Sequence, residues 1–429
     1  MSATSRTRRP VAGHGQLSRP SAWGQLLKIL GIAMSVVLVS GLGVAAYIGY
    51  DLTHTYTAKA VTLDGEKSVP PDLGAIKGGV NMLLVGSDAC EDDFKAEFGD
   101  RCSDPENAGE RNDTNLLLHI SDNPRRVTVI TFPRDLMVPI PSCVDSDGND
   151  TSPASKQAIN TTLELGGPKN GLACVARTVS KVSGLDIQFA AKITWGGVMK
   201  VTDAIGGVDV CIANGMSDPD TGLNLEAGTH TLQGYWALQF LRTRHGVGDG
   251  SDLGRGSNQQ VYMSSLARKM MSAEVLTNPG TLLKLANTVM SNVTPSTSLT
   301  SPTLLVQIAL AMKDVPLDQI NFVNYPVFAD PDDPNKVVPD YDSADKLWAA
   351  LAANEQIQVT GQRNDAVVSA TPTPTDPATT DPATTDPATT DPNATPTPGA
   401  TAGPVQLPEN IAGQSAAQQT CSNGNGYSG

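Results

Sequence analysis

Short apolar runs that stop at charged residues recur along the chain. Val80–Val85 (VNMLLV) halts at Gly86-Ser87-Asp88, and Thr114–Ile120 follows Arg111-Asn112-Asp113. Arg126–Phe132 alternates β-branched residues and ends at Pro133-Arg134-Asp135. Runs of this length and type predict strands, as do Phe189–Ile193, Val208–Ile212 and Ile320–Val327. Elsewhere the apolar positions recur at helical spacing: Ala173–Val182, Trp195–Ile205, Gln233–Phe240, Thr281–Met290, Thr303–Met312 and Ser343–Ala353. Strands and helices mixed without a strict βα repeat predict an α/β (α+β) sandwich, a central mixed sheet flanked by helices. In such folds ligands collect along strand edges and connecting loops, which makes the charged strand ends the first candidates for chemistry.

Two stretches depart from that pattern. Residues 29–50 carry no charge, and the 28 residues before them hold five basic side chains and no acidic one. An uncharged run of that length spans a bilayer, and the basic flank places the N-terminus in the cytoplasm and the rest outside the cell. A cleaved signal peptide is the competing reading; the length of the run favours an uncleaved, single-pass anchor. Residues 51–79 then read as a polar stalk and 80–354 as the globular domain. From 355 to 429 the chain turns Thr/Pro/Asp-rich, with TDPAT three times between Thr375 and Thr390. No apolar period survives there to offset chain entropy, so a disordered tail is expected.

Charge and cysteine content narrow the partners. A net charge of −14 excludes a nucleic-acid backbone as the natural ligand. Six cysteines suit an oxidising exterior, and no Cys/His spacing matches a zinc site. Cys90 and Cys102 bracket a polar insertion and are expected to pair. Among Cys143, Cys174, Cys211 and Cys421 the connectivity stays open, with Cys143–Cys174 preferred.

Within so acidic a chain the segment Leu241–Gln260 (LRTRHGVGDGSDLGRGSNQQ) stands out. Arg242 and Arg244 alternate as they would at a strand end, a glycine-rich acidic loop follows, and Arg255 and Gln259 lie one helical turn apart. Several guanidiniums with an amide form an anion site, and their planar forks suit phosphate. None of His119, His230 and His245 sits in a nucleophile-elbow context, so a Ser-His-Asp hydrolase is not indicated.

With LLVGSDA, RNDT, ITFPRD, AINTTLELGG, DAIGGVDV, LRTR and GDGSDLGRGSNQQ in that order, the sequence resembles the LytR–CpsA–Psr family of cell-envelope phosphotransferases. The resemblance implies that Asp88 and Asp113 bind Mg2+ and that Arg111, Arg134, Arg242, Arg244, Arg255 and Gln259 hold a pyrophosphate. It makes Asp88, Asp113, Arg134, Arg242 and Arg244 the catalytic set, with Asp252 orienting an arginine or acting as base. It further implies transfer of a glycopolymer from a polyprenyl-pyrophosphate-linked donor to peptidoglycan at the outer face of the cell membrane. A pyrophosphatase acting on the same lipid, or a non-enzymatic regulator that only binds it, are the alternatives. Two positions depart from the family pattern: Ala158 stands where lysine is usual, and Asn258 replaces the second arginine of the GRxxRQ block.

Overall fold

The computed structural model describes residues 49–63, 65, 79–98, 102, 109–359, 365–370 and 403–426. Its centre is a mixed seven-stranded sheet. In chain order the strands that matter are β1 (Val80–Ser87), β2 (Asn112–Ile120), β3 (Val127–Phe132) and β4 (Phe189–Thr194). They are followed by β5 (Val208–Asn214), β6 (Gly228–Leu232), β7 (Val293–Pro295) and β8 (Ile320–Asn324). The last three are β9 (Val367–Ser369), β10 (Gly413–Ser415) and β11 (Thr420–Asn423). The large sheet runs β7-β4-β1-β2-β3-β8-β10, with β1 parallel to β4, β3 parallel to β8, and antiparallel pairs between β1, β2 and β3. A smaller sheet runs β6-β5-β11-β9.

Alternation divides the large sheet's side chains between two faces. Leu83, Val85, Leu117, Ile130 and Phe132 pack against α1 (Thr162–Ser183) and α7 (Tyr341–Ala352). Met82, Leu116, Leu118, Val129 and Ala191 face the opposite side. There lie α2 (Trp195–Ala204), α4 (Asp252–Met270), α5 (Pro279–Asn292) and α6 (Pro302–Lys313). The segments Ile159–Leu165 and Ala173–Val182 join in α1, which kinks at Gly167-Pro168. Gly167 has φ 62°, and the proline that follows cannot donate to the helix. Cys90–Cys102 and Cys143–Cys174 are both bonded, and the open pair resolves as Cys211–Cys421.

Three expectations need correction. Arg242 and Arg244 do not lie on a strand: α3 (Gly234–Arg242) ends at Arg242, Thr243 leaves helical geometry, and Arg244 opens the loop. The stalk is in part core, because Tyr56, Val61 and Leu63 are buried. The expected disordered tail is also wrong for 365–370 and 403–426. Leu407, Ile411 and Ala416 are buried, β10 adds to the large sheet, and β11 joins the smaller one beside its disulfide to β5. These short strands borrow apolar partners and hydrogen bonds from an existing sheet, so they need no period of their own. The repeat at 375–390 lies outside the described residues, as does nearly all of the uncharged 29–50 segment. Among the described residues no helix is long and apolar enough to cross a membrane.

Candidate active site

The charged strand ends meet at one end of the sheet. Asp88 follows β1, Asp113 opens β2 after Arg111, and Pro133 ends β3 so that Arg134 leaves the sheet edge. From the helical side come Arg242 at the end of α3, Arg244 in the loop and Arg255 in the first turn of α4. Asp88, Arg111, Asp113, Arg134, Arg242, Arg244 and Arg255 all line one cleft of about 330 Å³. Asp252 and Gln259 do not reach that cleft and stand in the wall beside it.

Carboxylates hold most of these guanidiniums in place. Arg134 Nη1 lies 2.6 Å from Asp113 Oδ1, although the contact is off-axis and leaves that buried oxygen without an aligned donor. Asp252 Oδ1 sits 2.8 Å from Arg255 Nη2 and 3.0 Å from Arg244 Nη2, and thus sets the spacing of two arginines. Asp252 occupies the first turn of α4, capped by Ser251 Oγ, which accepts from Gly254 N, so its charge also complements the helix dipole. Asp135 accepts from Lys336 Nζ at 2.6 Å and stands 3.8 Å from both Arg134 Nε and Arg244 Nη2. Arg111 N donates to Asp88 Oδ1 at 2.6 Å, pinning that carboxylate at the cleft.

Behind this polar end lies an apolar cavity of about 390 Å³ between the sheet and α2, α4, α5 and α6. Asp113, Trp195, Arg242 and Arg255 line both spaces. The Arg242 guanidinium lies over the Trp195 ring, 3.9 Å from its centroid, which holds a cation at the junction. Gln259 lines the cavity and donates to the Leu241 carbonyl at 3.0 Å, tying α4 to the end of α3. Of the predicted helices Trp195–Ile205 and Ala173–Val182, the first, in α2, lines the cavity, and the second, in α1, packs on the opposite face of the sheet.

The loop between α3 and α4 turns through Gly248 (φ 55°) and Gly250 (φ 77°), where a side chain would be strained. Its conformation is braced by the C-terminal segment. Gly248 N donates to Asn423 O at 3.2 Å, Asn425 N to Gly246 O at 3.1 Å, and Asn425 Nδ2 to His245 O at 3.2 Å. Asn258, the departure from the family's arginine, belongs to the same brace. It donates to Phe240 O at 2.7 Å and accepts from Ser422 Oγ at 2.5 Å. Lys156 does not stand in for the lysine missing at Ala158: its ammonium lies 2.7 Å from Asp330 and 2.6 Å from Asp332.

Sequence reasoning gave no role to Asp218, Asp220 or Thr221, which line the cleft with Trp195. Asp218 is buried, and its carboxyl lies below the usual range. Burial opposes that shift, but bonds from the Thr243 hydroxyl and the Arg244 and Asp220 amides outweigh it. Asp218, Asp220 and His245 bring ligand-type atoms within 4.8 Å of one another at the rim, and His245 Nδ1 lies 2.9 Å from Asp220 Oδ2.

A model of the LytR–CpsA–Psr family matches residues 46–353. The chain belongs to that family. The cell wall biosynthesis protein LcpA of Corynebacterium glutamicum is 30% identical over 279 residues, 61% of this chain and 52% of that protein. The polyisoprenyl-teichoic acid–peptidoglycan teichoic acid transferase TagU of Oceanobacillus iheyensis is 28% identical over 54% of this chain and 64% of its own length. Thus the chain spans about half to two thirds of these relatives. The solved LytR-Csp2A-Psr enzyme from Actinomyces oris shares the fold at TM-score 0.50 and 22% identity, covering 68% of this chain and 96% of that one. The brace formed by 420–426 lies beyond the LytR–CpsA–Psr match, yet it holds the arginine loop of the family domain.

Proposed function

We propose that the chain transfers a glycopolymer from a polyprenyl-pyrophosphate-linked donor to peptidoglycan through a phosphodiester link, at the outer face of the cell membrane. One observation carries the reading: an arginine-lined cleft adjoins an apolar cavity, with Arg242, Arg255, Asp113 and Trp195 shared by both. A ligand that fits is anionic at one end and a long hydrocarbon at the other. The relatives' names, cell wall biosynthesis protein and teichoic acid transferase, point the same way.

In this reading Arg134, Arg242, Arg244 and Arg255 bind the pyrophosphate, and the apolar cavity takes the prenyl tail. A peptidoglycan hydroxyl enters from the open side and attacks the sugar-linked phosphorus. The bond to the bridging oxygen breaks, polyprenyl phosphate leaves, and the hydroxyl proton passes to water. Charge grows on the leaving phosphate, where fixed guanidiniums stabilise it without reorganising. Asp252 keeps Arg244 and Arg255 at phosphate spacing. Asp88 and Asp113 would hold Mg2+, since both line the cleft and the buried Asp113 Oδ1 has no aligned donor, as suits a hard cation. Such an ion supplies further neutralisation of the pyrophosphate.

The test is turnover of a polyprenyl-pyrophosphate oligosaccharide with peptidoglycan as acceptor, followed by mass spectrometry. Arg242→Ala and Arg244→Ala should each cost about a hundredfold in rate if they make charge-assisted contacts to phosphate. Asp88→Asn and Asp113→Asn should weaken Mg2+ dependence, and Arg125→Ala, outside the cleft, is the control. Circular dichroism should be unchanged throughout. Variants that all work like the parent would make these arginines structural and remove the transferase reading; product released only to water would leave a pyrophosphatase.

A further inference from the structure

Two of the helices that wall the cavity also expose large apolar side chains. α5 is a 14-residue helix with no buried side chain, and its Leu283 is 70% exposed. On α6, Leu304 and Ile308 point into the core, while Val306 and Leu310, one turn apart, are 59% and 57% exposed. A helix apolar around its whole circumference belongs in an apolar environment on every side. Soluble surfaces seldom gather such side chains into one patch without a partner. Val289 of α5 and Leu305 of α6 line the cavity itself, so each helix stands between the cavity and its own exposed apolar side chains.

The charge pattern selects the partner. No aspartate or glutamate occurs between Glu274 and Asp314, in a chain of net charge −14; the charged side chains in that interval are Lys284 and Lys313. Helices that carry lysines and no acids of their own suit an anionic lipid headgroup layer. The covalent path agrees. Nine residues after the uncharged 29–50 segment, the chain meets the last turn of α5. There Lys59 Nζ donates to Ser291 O at 2.7 Å, Val61 N donates to Pro295 O at 2.9 Å, and Thr62 and Thr297 share a hydroxyl bond of 3.0 Å.

We propose that the outer face of α5 and α6 docks on the lipid bilayer, with Leu283, Val306 and Leu310 in the headgroup boundary. The lipid tail of the donor then enters the cavity between these helices without crossing water. The entry role rests on the lipid-linked donor proposed above; the docking does not.

All six cysteines are tied up in disulfides, so one introduced cysteine is the only free thiol. The full-length chain, carrying a nitroxide at Leu283→Cys, Val306→Cys or Leu310→Cys, is placed in phosphatidylcholine–phosphatidylglycerol vesicles. A label at Lys346→Cys, on α7 across the sheet, is the reference. The three face labels should show a several-fold higher ratio of oxygen to nickel-chelate accessibility than the reference. Equal ratios would overturn the proposal, and so would spin–spin broadening between copies, which would put a second chain on the face. As a second measurement, joint Leu283→Asp, Val306→Asp and Leu310→Asp substitution should slow turnover of a long-chain donor in vesicles about tenfold. A short, water-soluble prenyl analogue should be processed as before; equal loss on both would overturn the entry role. A parent that processes neither substrate would sink the transferase reading, while the accessibility ratios would still decide the docking.

Discussion

The two faces of the large sheet carry similar side chains and are filled differently. On one, Leu83, Val85, Leu117, Ile130 and Phe132 meet Leu172, Val175 and Val179 of α1 and Leu347 of α7, all essentially buried in a continuous core. On the other, Leu84, Leu116, Val129 and Ala191 look into the cavity of about 390 Å³. Protein interiors pack as densely as organic crystals, and atoms facing a void lose their dispersion partners. A void of that size is therefore a standing cost to stability, carried on the face whose cavity shares Asp113, Arg242 and Arg255 with the charged cleft. One face supplies stability, and the other gives up some of it to a cavity, the room that the proposed prenyl tail would need.

The C-terminal segment is common to both faces, and removing it should give the largest effect. Leu407 and Ile411 belong to the solid core, Ala416 lies under the hollow face, and Ser422 and Asn425 brace the arginine loop. A stop after Asp365 also deletes the Cys211–Cys421 bridge, whose 210-residue separation is worth about 5 kcal/mol in the chain-entropy account. Truncation should lower the melting temperature by roughly 10 °C or more and cut turnover with it. A truncated protein that melts like the parent would show that the two faces stand without this segment.

That segment was also the least legible part of the sequence. The long sheet strands could be read because each carries its own run of β-branched and aliphatic residues, Asp88, Asp113 and Arg134 because each borders such a run, and the later arginines because they cluster in an acidic chain. Strands β9, β10 and β11 are only three or four residues long, β10 and β11 are polar, and all three are ordered by edges and a disulfide supplied from elsewhere in the chain. Arg242 and Arg244 looked like strand residues because alternation over a few positions cannot distinguish a strand end from a helix end followed by a turn. Trp195 and Asp218 carried no local signal; only the fold brings them to the cleft. Asn258 could be seen as a departure, and its reason, the hydroxyl of Ser422, lies 164 residues away.

On the solid face the comparison can be sharpened by pH. His119 sits in β2 on that side, with Nδ1 2.7 Å from Asn81 Oδ1 and Nε2 buried without a partner. Burial lowers its pKa from 6.5 to about 4. As pH falls below 6.5 the unfolded chain takes up this proton first, so the folded state loses stability until about pH 4; above 6.5 the contribution is fully present. The loss across that window should reach about 3 kcal/mol. His119→Gln should flatten the unfolding free energy over those pH values and leave turnover at neutral pH intact. An unchanged slope would mean that the side chain is solvated in the folded protein.

The smallest effect is the sharpest discriminator, because it uses neighbouring residues of the same type. Ala190 and Ala191 are consecutive in β4, both buried, and point to opposite faces, Ala190 into the solid core and Ala191 into the cavity. Leucine at either position adds the same atoms to the same strand with the same change in propensity, so backbone effects largely cancel. Ala190→Leu must force rotamers or backbone aside in a filled core, a change that typically costs about 1–3 kcal/mol. Ala191→Leu places its new carbons where none face the sheet now, gains contacts, and should be neutral or slightly stabilising by denaturant unfolding. Its cost should appear in function instead, as slower turnover of a long-chain prenyl donor with a short-chain analogue spared. Equal destabilisation by the two substitutions would mean that the hollow face closes up in solution, and the distinction between the faces would fail with it.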